Sequence, residues 1–332
     1  MSRRALIGVL AGGAALLVLA LVGVVLATSG SSSDALGIYS ARSHYGEEQP
    51  FEDFAAETGS DLRLRPGSAS ELYERIEAEG ENTPADVLIT VDAANLWRAT
   101  EAGLLAPVRS AELDRLVPEG LRDPGGHWYG LALRARTIMR SAERVGPDEV
   151  TTYEGLGDPR WKGSLCLRSG TSEYNVSFVA DRLAKDGPEA TERMLRSWVD
   201  NDPEILGSDT DVLDAIADGD CDVGLTNHYY LEREREEDPD FPVEPVWADQ
   251  QGRGTHVNLS GLGVVAASEQ KDEARELIEF LVSPEQQRVF SESNHEFRVD
   301  TELDFKADPI DVERAGARLD DALNLMDEVG WD

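Results

Sequence analysis

Val223-Gly224-Leu225-Thr226-Asn227-His228-Tyr229-Tyr230 is the stretch from which the rest of the chain can be read. It follows Cys221-Asp222 and runs through Leu231 into the charged series Glu232-Arg233-Glu234-Arg235-Glu236. The short apolar run from Cys221 to Leu225 reads as a buried strand, and the charged series as an exposed helix. Adjacent tyrosines at such a junction are informative. In a strand they would point to opposite faces. On the first turn of a helix they diverge by about 100°, so both phenol oxygens reach one cleft. Hard oxygen donors suit a hard cation, which makes ferric iron a candidate for tyrosinate oxygens. An amphipathic pair that caps a hydrophobic layer with its hydroxyls in water is the other reading of the dipeptide.

Outward from this junction the chain alternates. Leu36–Ser40 reads as a strand, 50–57 as a helix closed by Gly59, 61–64 as a strand, 70–79 as a helix, 86–90 as a strand, and 95–102 as a helix ending at Gly103. A second set follows, with a strand at 164–167, helices at 174–185 and 188–199, and a helix at 211–217 leading into the strand before Tyr229. Such βαβ units imply parallel sheets with helices on both faces. Sites in these sheets lie beyond the carboxyl ends of the strands, which points to 40–45, 90–92 and 226–230. Two long extended runs, 128–139 and 256–267, bracket the second set. They suggest a chain that crosses between lobes and returns, hence a two-lobed α/β protein with a hinge and a central cleft. The expected divisions are 34–133 for the first lobe, 134–253 for the second, and 254–332 for the return to the first lobe. That last part holds helices at 271–281 and 284–292 and an acidic tail.

The N-terminus carries Arg3 and Arg4 before 23 uninterrupted apolar residues, Ala5 to Ala27, and a small polar linker to Ser33. This is an export signature. The run is long enough to span a bilayer, and no lipobox cysteine follows it. Ser2-Arg3-Arg4 is loosely similar to a twin-arginine signal. A cleaved signal and an uncleaved anchor both stay open, and either places the chain from about Asp34 outside the cytoplasm. The formal net charge is −34, and only Lys162, Lys185, Lys271 and Lys306 are lysines. Such a surface is similar to that of salt-adapted proteins, in which ionic strength screens self-repulsion. It argues against nucleic acid as a partner, which needs a basic footprint. No Gly-x-Ser-x-Gly elbow or phosphate-cradling glycine loop marks an enzyme, and no Cys-x-x-Cys or His-x-x-x-His spacing marks zinc.

Several motifs, in order, resemble one family. They are Tyr39-Ser40-Ala41-Arg42-Ser43-His44-Tyr45, Thr83-Pro84-Ala85-Asp86-Val87, Asp158-Pro159-Arg160-Trp161-Lys162-Gly163, Arg168-Ser169-Gly170-Thr171-Ser172-Glu173-Tyr174-Asn175, Asn227-His228-Tyr229-Tyr230, and Gly252-Arg253-Gly254-Thr255-His256-Val257-Asn258. The chain resembles the ferric-iron-binding extracytoplasmic receptors of ABC importers, of the type II periplasmic-binding-protein fold. The resemblance implies that Tyr229 and Tyr230 are the adjacent ligands to Fe3+ and Tyr174 a third. His44 and Tyr45 match the pair after the first strand, with Ser43 as an extra residue that several relatives lack. Iron, a membrane permease and a monomeric state are the implied partners and assembly. A receptor of the same fold for a small organic solute or anion is the alternative.

Two arginines, two histidines and two cysteines remain. Arg134 and Arg136 alternate along the crossing strand and share a face. Arg136, nearer the expected hinge, is favoured to meet a tyrosinate or an anion on the metal, and an interlobe salt bridge is its other use. His228 is expected to be a solvated residue at a helix start, and His256 a satisfied histidine at the hinge. Cys166 and Cys221 form a disulfide in an exported protein, or are separate buried thiols.

Overall fold

The computed structural model describes residues 35–42 and 49–332. The expected alternation is present: β1 (Leu36–Ser40), α1 (Gln49–Thr58), β2 (Leu62–Pro66), α2 (Ala69–Glu79), β3 (Val87–Thr90) and α3 (Ala93–Glu101). Then come α4 (Ala111–Leu116), β4 (Tyr129–Ser141), β5 (Leu165–Arg168), α5 (Glu173–Asp186), α6 (Pro188–Val199), β6 (Glu204–Leu206), α7 (Asp209–Asp218) and β7 (Val223–Asn227). The chain continues through α8 (His228–Glu237), β8 (Val243–Val246), β9 (Thr255–Val264), α9 (Lys271–Leu281), α10 (Pro284–Asn294), β10 (Ala307–Pro309), α11 (Val312–Gly316) and α12 (Leu319–Val329).

The strands run in the order β2-β1-β3-β9-β4-β7-β5-β6, with β10 beside β9 and β8 beside β4. The long strand β4 belongs to two sheets. Its first half, Tyr129 to Ala135, pairs antiparallel with β9. Its second half, from Arg136, pairs antiparallel with β7 and β8. β1 is parallel to both β2 and β3, and β5 is parallel to both β6 and β7. The result is two lobes of mixed but parallel-rich sheet that share β4, as the two long extended runs imply.

Local chemistry sets the joints. α2 opens on a capping box in which the Ser68 side chain accepts from Glu71 N–H and the Glu71 side chain accepts from Ser68 N–H, a reciprocal arrangement that satisfies two orphan donors. α5 and α6 are split at Gly187, whose φ of +84° suits glycine. In the Thr83–Val87 motif, Asp86 accepts from Gly37 N–H at 2.7 Å and so fastens β1 to the start of β3. A side chain at Gly37 would collide with the Pro84 carbonyl.

Two apolar clusters fill the molecule. One packs Leu36, Ile38, Val87 and Ile89 against Phe51, Phe54, Leu277 and Phe290, between the first sheet and α1, α9 and α10. The larger one runs from α2 and α3 through β4 into the second lobe. The stretch expected to be an acidic tail is folded: Ala315, Ala322, Met326 and Trp331 are buried. Its acids line the outer face of α12 while Leu319, Ala322, Met326 and Val329 repeat at helical spacing on the inner one. Among the described residues no helix is long and apolar enough to cross a membrane; the expected leader, residues 1–33, lies outside them.

Candidate metal centre

β7 delivers the tyrosine pair. All five of its residues are buried, and Asn227 turns the chain into α8 with φ −77° and ψ 140°. Tyr229 is fully buried and Tyr230 is 8 % exposed, with ring centroids 4.5 Å apart. Tyr174, second residue of α5, meets them from the other βα junction. Tyr229 Oη donates to Tyr174 Oη at 3.1 Å, and Asn227 Nδ2 donates to Tyr229 Oη at 3.3 Å. Residues 55 apart in sequence thus bring three phenols together. Burial first, then the Tyr174 and Asp209 charges, raises the Tyr230 phenol above its ordinary range, against a hydrogen bond with Tyr229 and the Arg168 charge. A cation that takes these oxygens must therefore displace their protons.

Guanidinium groups cover the rings. Arg134 and Arg168 lie 5.1 and 5.4 Å from the Tyr174 centroid. Arg233 lies 5.0 Å from that of Tyr229 and 5.5 Å from that of Tyr230. These are cation–π distances. Arg168 also pairs with Asp209 at 3.1 Å. Arg136, expected to meet a tyrosinate or an anion, is held elsewhere. It donates to Asp209 and to Asn227 Oδ1, both at 3.1 Å, to Asn175 Oδ1 at 2.9 Å and to the Leu225 carbonyl at 3.3 Å. Among the described residues its link to Tyr229 runs through Asn227. The carboxylate it pairs with belongs to the second lobe, so the bridge is not interlobe either. Arg134, the other member of the alternating pair, is the one that faces a tyrosine. Among the described residues it has no carboxylate partner; its hydrogen bond goes to Ser260 Oγ at 3.3 Å.

A cavity of about 320 Å³ opens beside Tyr174. Ala41, Gly67 and Val91, each just past the end of a first-lobe strand, form one wall, and Arg168, Glu173 and Tyr174 form the other. This is the cleft at the carboxyl ends of the strands. His44 and Tyr45 lie outside the described residues; Ala41, on the same connection, lines the cleft. Next to them Arg42 is buried against Glu296 at 2.8 Å and over the Phe290 ring.

Sequence reasoning missed Glu173, Asn175, Asn227 and Arg168 as parts of the site, although all four lie within the quoted motifs. Their polar side chains in otherwise apolar βα units were the available signal. Burial, with Asp92 nearby, pushes the Glu173 carboxyl up to about 7, while a hydrogen bond from Ala69 N–H acts against it. His228 corrects an expectation. It is buried, its ring stacks on Phe297 at 4.1 Å, and its Nδ1 accepts from Ala135 N–H at 3.3 Å. Burial pushes its pKa down to about 3, so it is neutral. The first turn of α8 faces inward on every side, which a charged series read from Glu232 onward does not reveal. His256 is the satisfied hinge histidine expected, on Asp181 at 3.0 Å. Cys166 and Cys221 are joined in a disulfide, Cα atoms 5.8 Å apart. With Glu204 they are the group of His, Cys, Asp and Glu side chains close enough to share an ion among the described residues, but a disulfide offers no thiolate.

Comparison with known proteins identifies the family. The profile of the bacterial extracellular solute-binding protein family matches residues 82–311. The chain belongs to this family. It is a family of solute-binding proteins rather than of enzymes. Iron uptake protein A1 of Synechocystis is 40% identical over 335 residues, covering 92% of this chain and 93% of that protein. A solved structure of a Trichodesmium protein in complex with iron and citrate ligands is 40% identical, with a TM-score of 0.81 over 90% of this chain and 100% of that one. The ferric binding protein from Campylobacter jejuni is 31% identical, with a TM-score of 0.84 over 90% of this chain and 100% of its own.

Proposed function

We propose that this family member is the receptor of an iron importer: it closes its lobes on ferric iron and delivers it to a membrane permease, doing no covalent chemistry. The observation that carries this reading is the hydrogen-bonded contact of Tyr229 with Tyr174, with the Tyr230 ring 4.5 Å from that of Tyr229. Three phenols that converge at the carboxyl ends of two strands form a hard anionic donor set once deprotonated. The relatives named for iron uptake and ferric binding support the same cargo. Tyr174, Tyr229 and Tyr230 ligate from the second lobe in this proposal, and Tyr45 and His44 from the first. Ligands drawn from both lobes couple binding to closure about β4 and β9. The lobe limits at 34–133, 134–253 and 254–332, the monomeric state and an extracytoplasmic location, exported or anchored, belong to the same proposal.

Charge decides whether an anion must share the metal. A ferric ion carries three positive charges, and a desolvated cleft holds little net charge without compensation. Three tyrosinates reach neutrality, and Tyr45 would add one negative charge. Arg134, lacking a carboxylate partner and stacked on Tyr174, is better placed than Arg136 to offset it. Iron is therefore expected to bind in buffer freed of carbonate, phosphate and citrate, with the visible tyrosinate-to-iron absorption at full strength. The same titration at lower pH should show weaker uptake, because protons compete for the phenol oxygens. A requirement for added anion would defeat the four-tyrosinate arrangement. A protein that stays colourless with iron but takes up an organic solute would favour the alternative receptor.

The acidic balance makes a separate prediction. With a net charge of −34 on the chain, thermal midpoints should rise as salt increases from tenth-molar toward molar. A flat midpoint would mean that local ion pairs such as Arg253 with Asp186 and Glu154 already compensate the carboxylates.

A further inference from the structure

Across the cleft, one contact beside the ligand set joins backbone to side chain. Ala69 N–H donates to Glu173 Oε1 at 2.7 Å, between residues 104 apart in sequence. Ala69 is the first residue of α2 in the first lobe, and Glu173 the first of α5 in the second. The first N–H groups of a helix have no partner within it. In α2 the capping box serves Glu71 N–H through Ser68 Oγ and Ser68 N–H through Glu71 Oε2. Neither bond uses Ala69 N–H, which is satisfied from the opposite lobe. The donor sits at the positive end of the α2 dipole, which favours the ionised form of the Glu173 carboxyl and makes the bond charge-assisted in that form. Glu173 shares the opening turn of α5 with Tyr174, and both line the cavity.

We propose that Glu173 is a positioning residue that latches the lobes shut, docking on the N-terminus of α2 so that closure and the placement of Tyr174 occur together. This rests on the ferric reading for its cargo, but the latch itself is a property of the two lobes. Other contacts that reach α5 from outside the second lobe lie against β9 or its neighbour β10: Asp92 with Ser177 at 3.3 Å, Ser177 with Asn258 at 2.6 Å, and Lys185 with Asp308 at 2.8 Å. They are next to the shared strands, where opening displaces atoms least. The Glu173 contact lies farther from β9, at the cavity, and is the one proposed to part on opening and re-form on closing.

Two variants break the latch from opposite sides. Glu173→Ala removes the acceptor. Ala69→Pro removes the donor and sets a ring carbon against the carboxylate, at a helix position where proline is favoured. The preceding Ser68, at φ −70° and ψ 157°, already has the extended conformation that proline requires before it. α2 keeps its capping box in this variant. Each variant should release iron to a competing chelator roughly tenfold faster, the loss expected for a charge-assisted hydrogen bond. The wavelength of the tyrosinate-to-iron band and the thermal midpoint should stay unchanged. The double variant should release iron no faster than the singles, since both remove one interaction. Small-angle scattering of the cargo-free variants should show a larger radius of gyration than the parent, a readout that needs no iron. Unchanged release and an unchanged radius in both variants would overturn the latch, as would additive effects in the double variant. A shifted absorption band in Glu173→Ala would overturn it differently, by showing that Glu173 touches the metal. A parent protein that stays colourless counts against the ferric reading alone, because the scattering comparison still decides the latch.

Discussion

Replacing both Tyr229 and Tyr230 with phenylalanine should abolish the visible ferric band and lower iron affinity by well over 100-fold. That bound follows because loss of a residue that merely orients a ligand already costs about 10- to 100-fold, and here two direct oxygen donors go. The fold should survive. Each change removes one oxygen and no carbon, so the tilted packing of the two rings and the contacts of Arg233 keep their shape. The stability cost is the hydrogen bonds lost at Tyr229 Oη, which joins Asn227 to Tyr174. A net loss of about 1–2 kcal/mol is expected from those bonds. Tyr129→Phe is the control, since that hydroxyl donates to the Val108 carbonyl at 2.7 Å, away from the cleft. It should lose a comparable amount of stability and keep its colour. Wild-type colour and affinity in the double variant would refute the assignment of the pair.

Loss of the Cys166–Cys221 disulfide should be the largest change in stability that leaves the metal ligands untouched. The bridge closes a loop across a sequence separation of 55, for which chain entropy gives about 4 kcal/mol. In a chain of this size that corresponds to a fall of about 6 °C in the thermal midpoint. Cys166 lies in β5, which leads to Arg168 and Tyr174, and Cys221 just precedes β7, which leads to Tyr229 and Tyr230. The bridge therefore ties the two strands that present the three phenols. Cys166→Ala with Cys221→Ala should unfold earlier by calorimetry while it still binds iron at low temperature. A midpoint within 2–3 °C of the parent would show that the β5–β7 pairing needs no covalent support, an outcome well below the expected chain-entropy contribution.

The two tyrosine-bearing junctions were legible because each depends on a few neighbouring residues. A buried run ends, a helix starts, and the first turn carries the phenols. Long apolar β4 and β9 announced a chain that crosses and returns, and glycines at 59 and 103 marked ends that the structure retains. Contacts between distant elements were not legible. Alternation put Arg134 and Arg136 on one face, but it could not show that Asp209, at the start of α7, takes the second and leaves the first to Tyr174. His228 read as solvated because the charges after it are conspicuous, yet Phe297 approaches from the far end of the chain to cover it. The latch joins a backbone N–H to a carboxylate, and a backbone group has no signature in a list of residue types. His44 and Tyr45 fall in 43–48, outside the described residues, so the first-lobe side of the ligand set remains a proposal.

The continuity of β4 has a consequence for how this chain tolerates insertions. Side chains alternate strictly along a strand, so one added residue turns everything beyond it to the opposite face. An insertion between Ala135 and Arg136 would leave the pairing of Tyr129 to Ala135 with β9 intact. Beyond it, Arg136 would swing away from Asp209, and the pairing with β7 would lose its register. A single inserted residue in this strand thus damages the half of the molecule that holds the three tyrosines, whereas the surface turn around Gly146 can lengthen without disturbing either sheet. Length variation among functional versions of this chain should therefore be absent from β4 and concentrated in such turns.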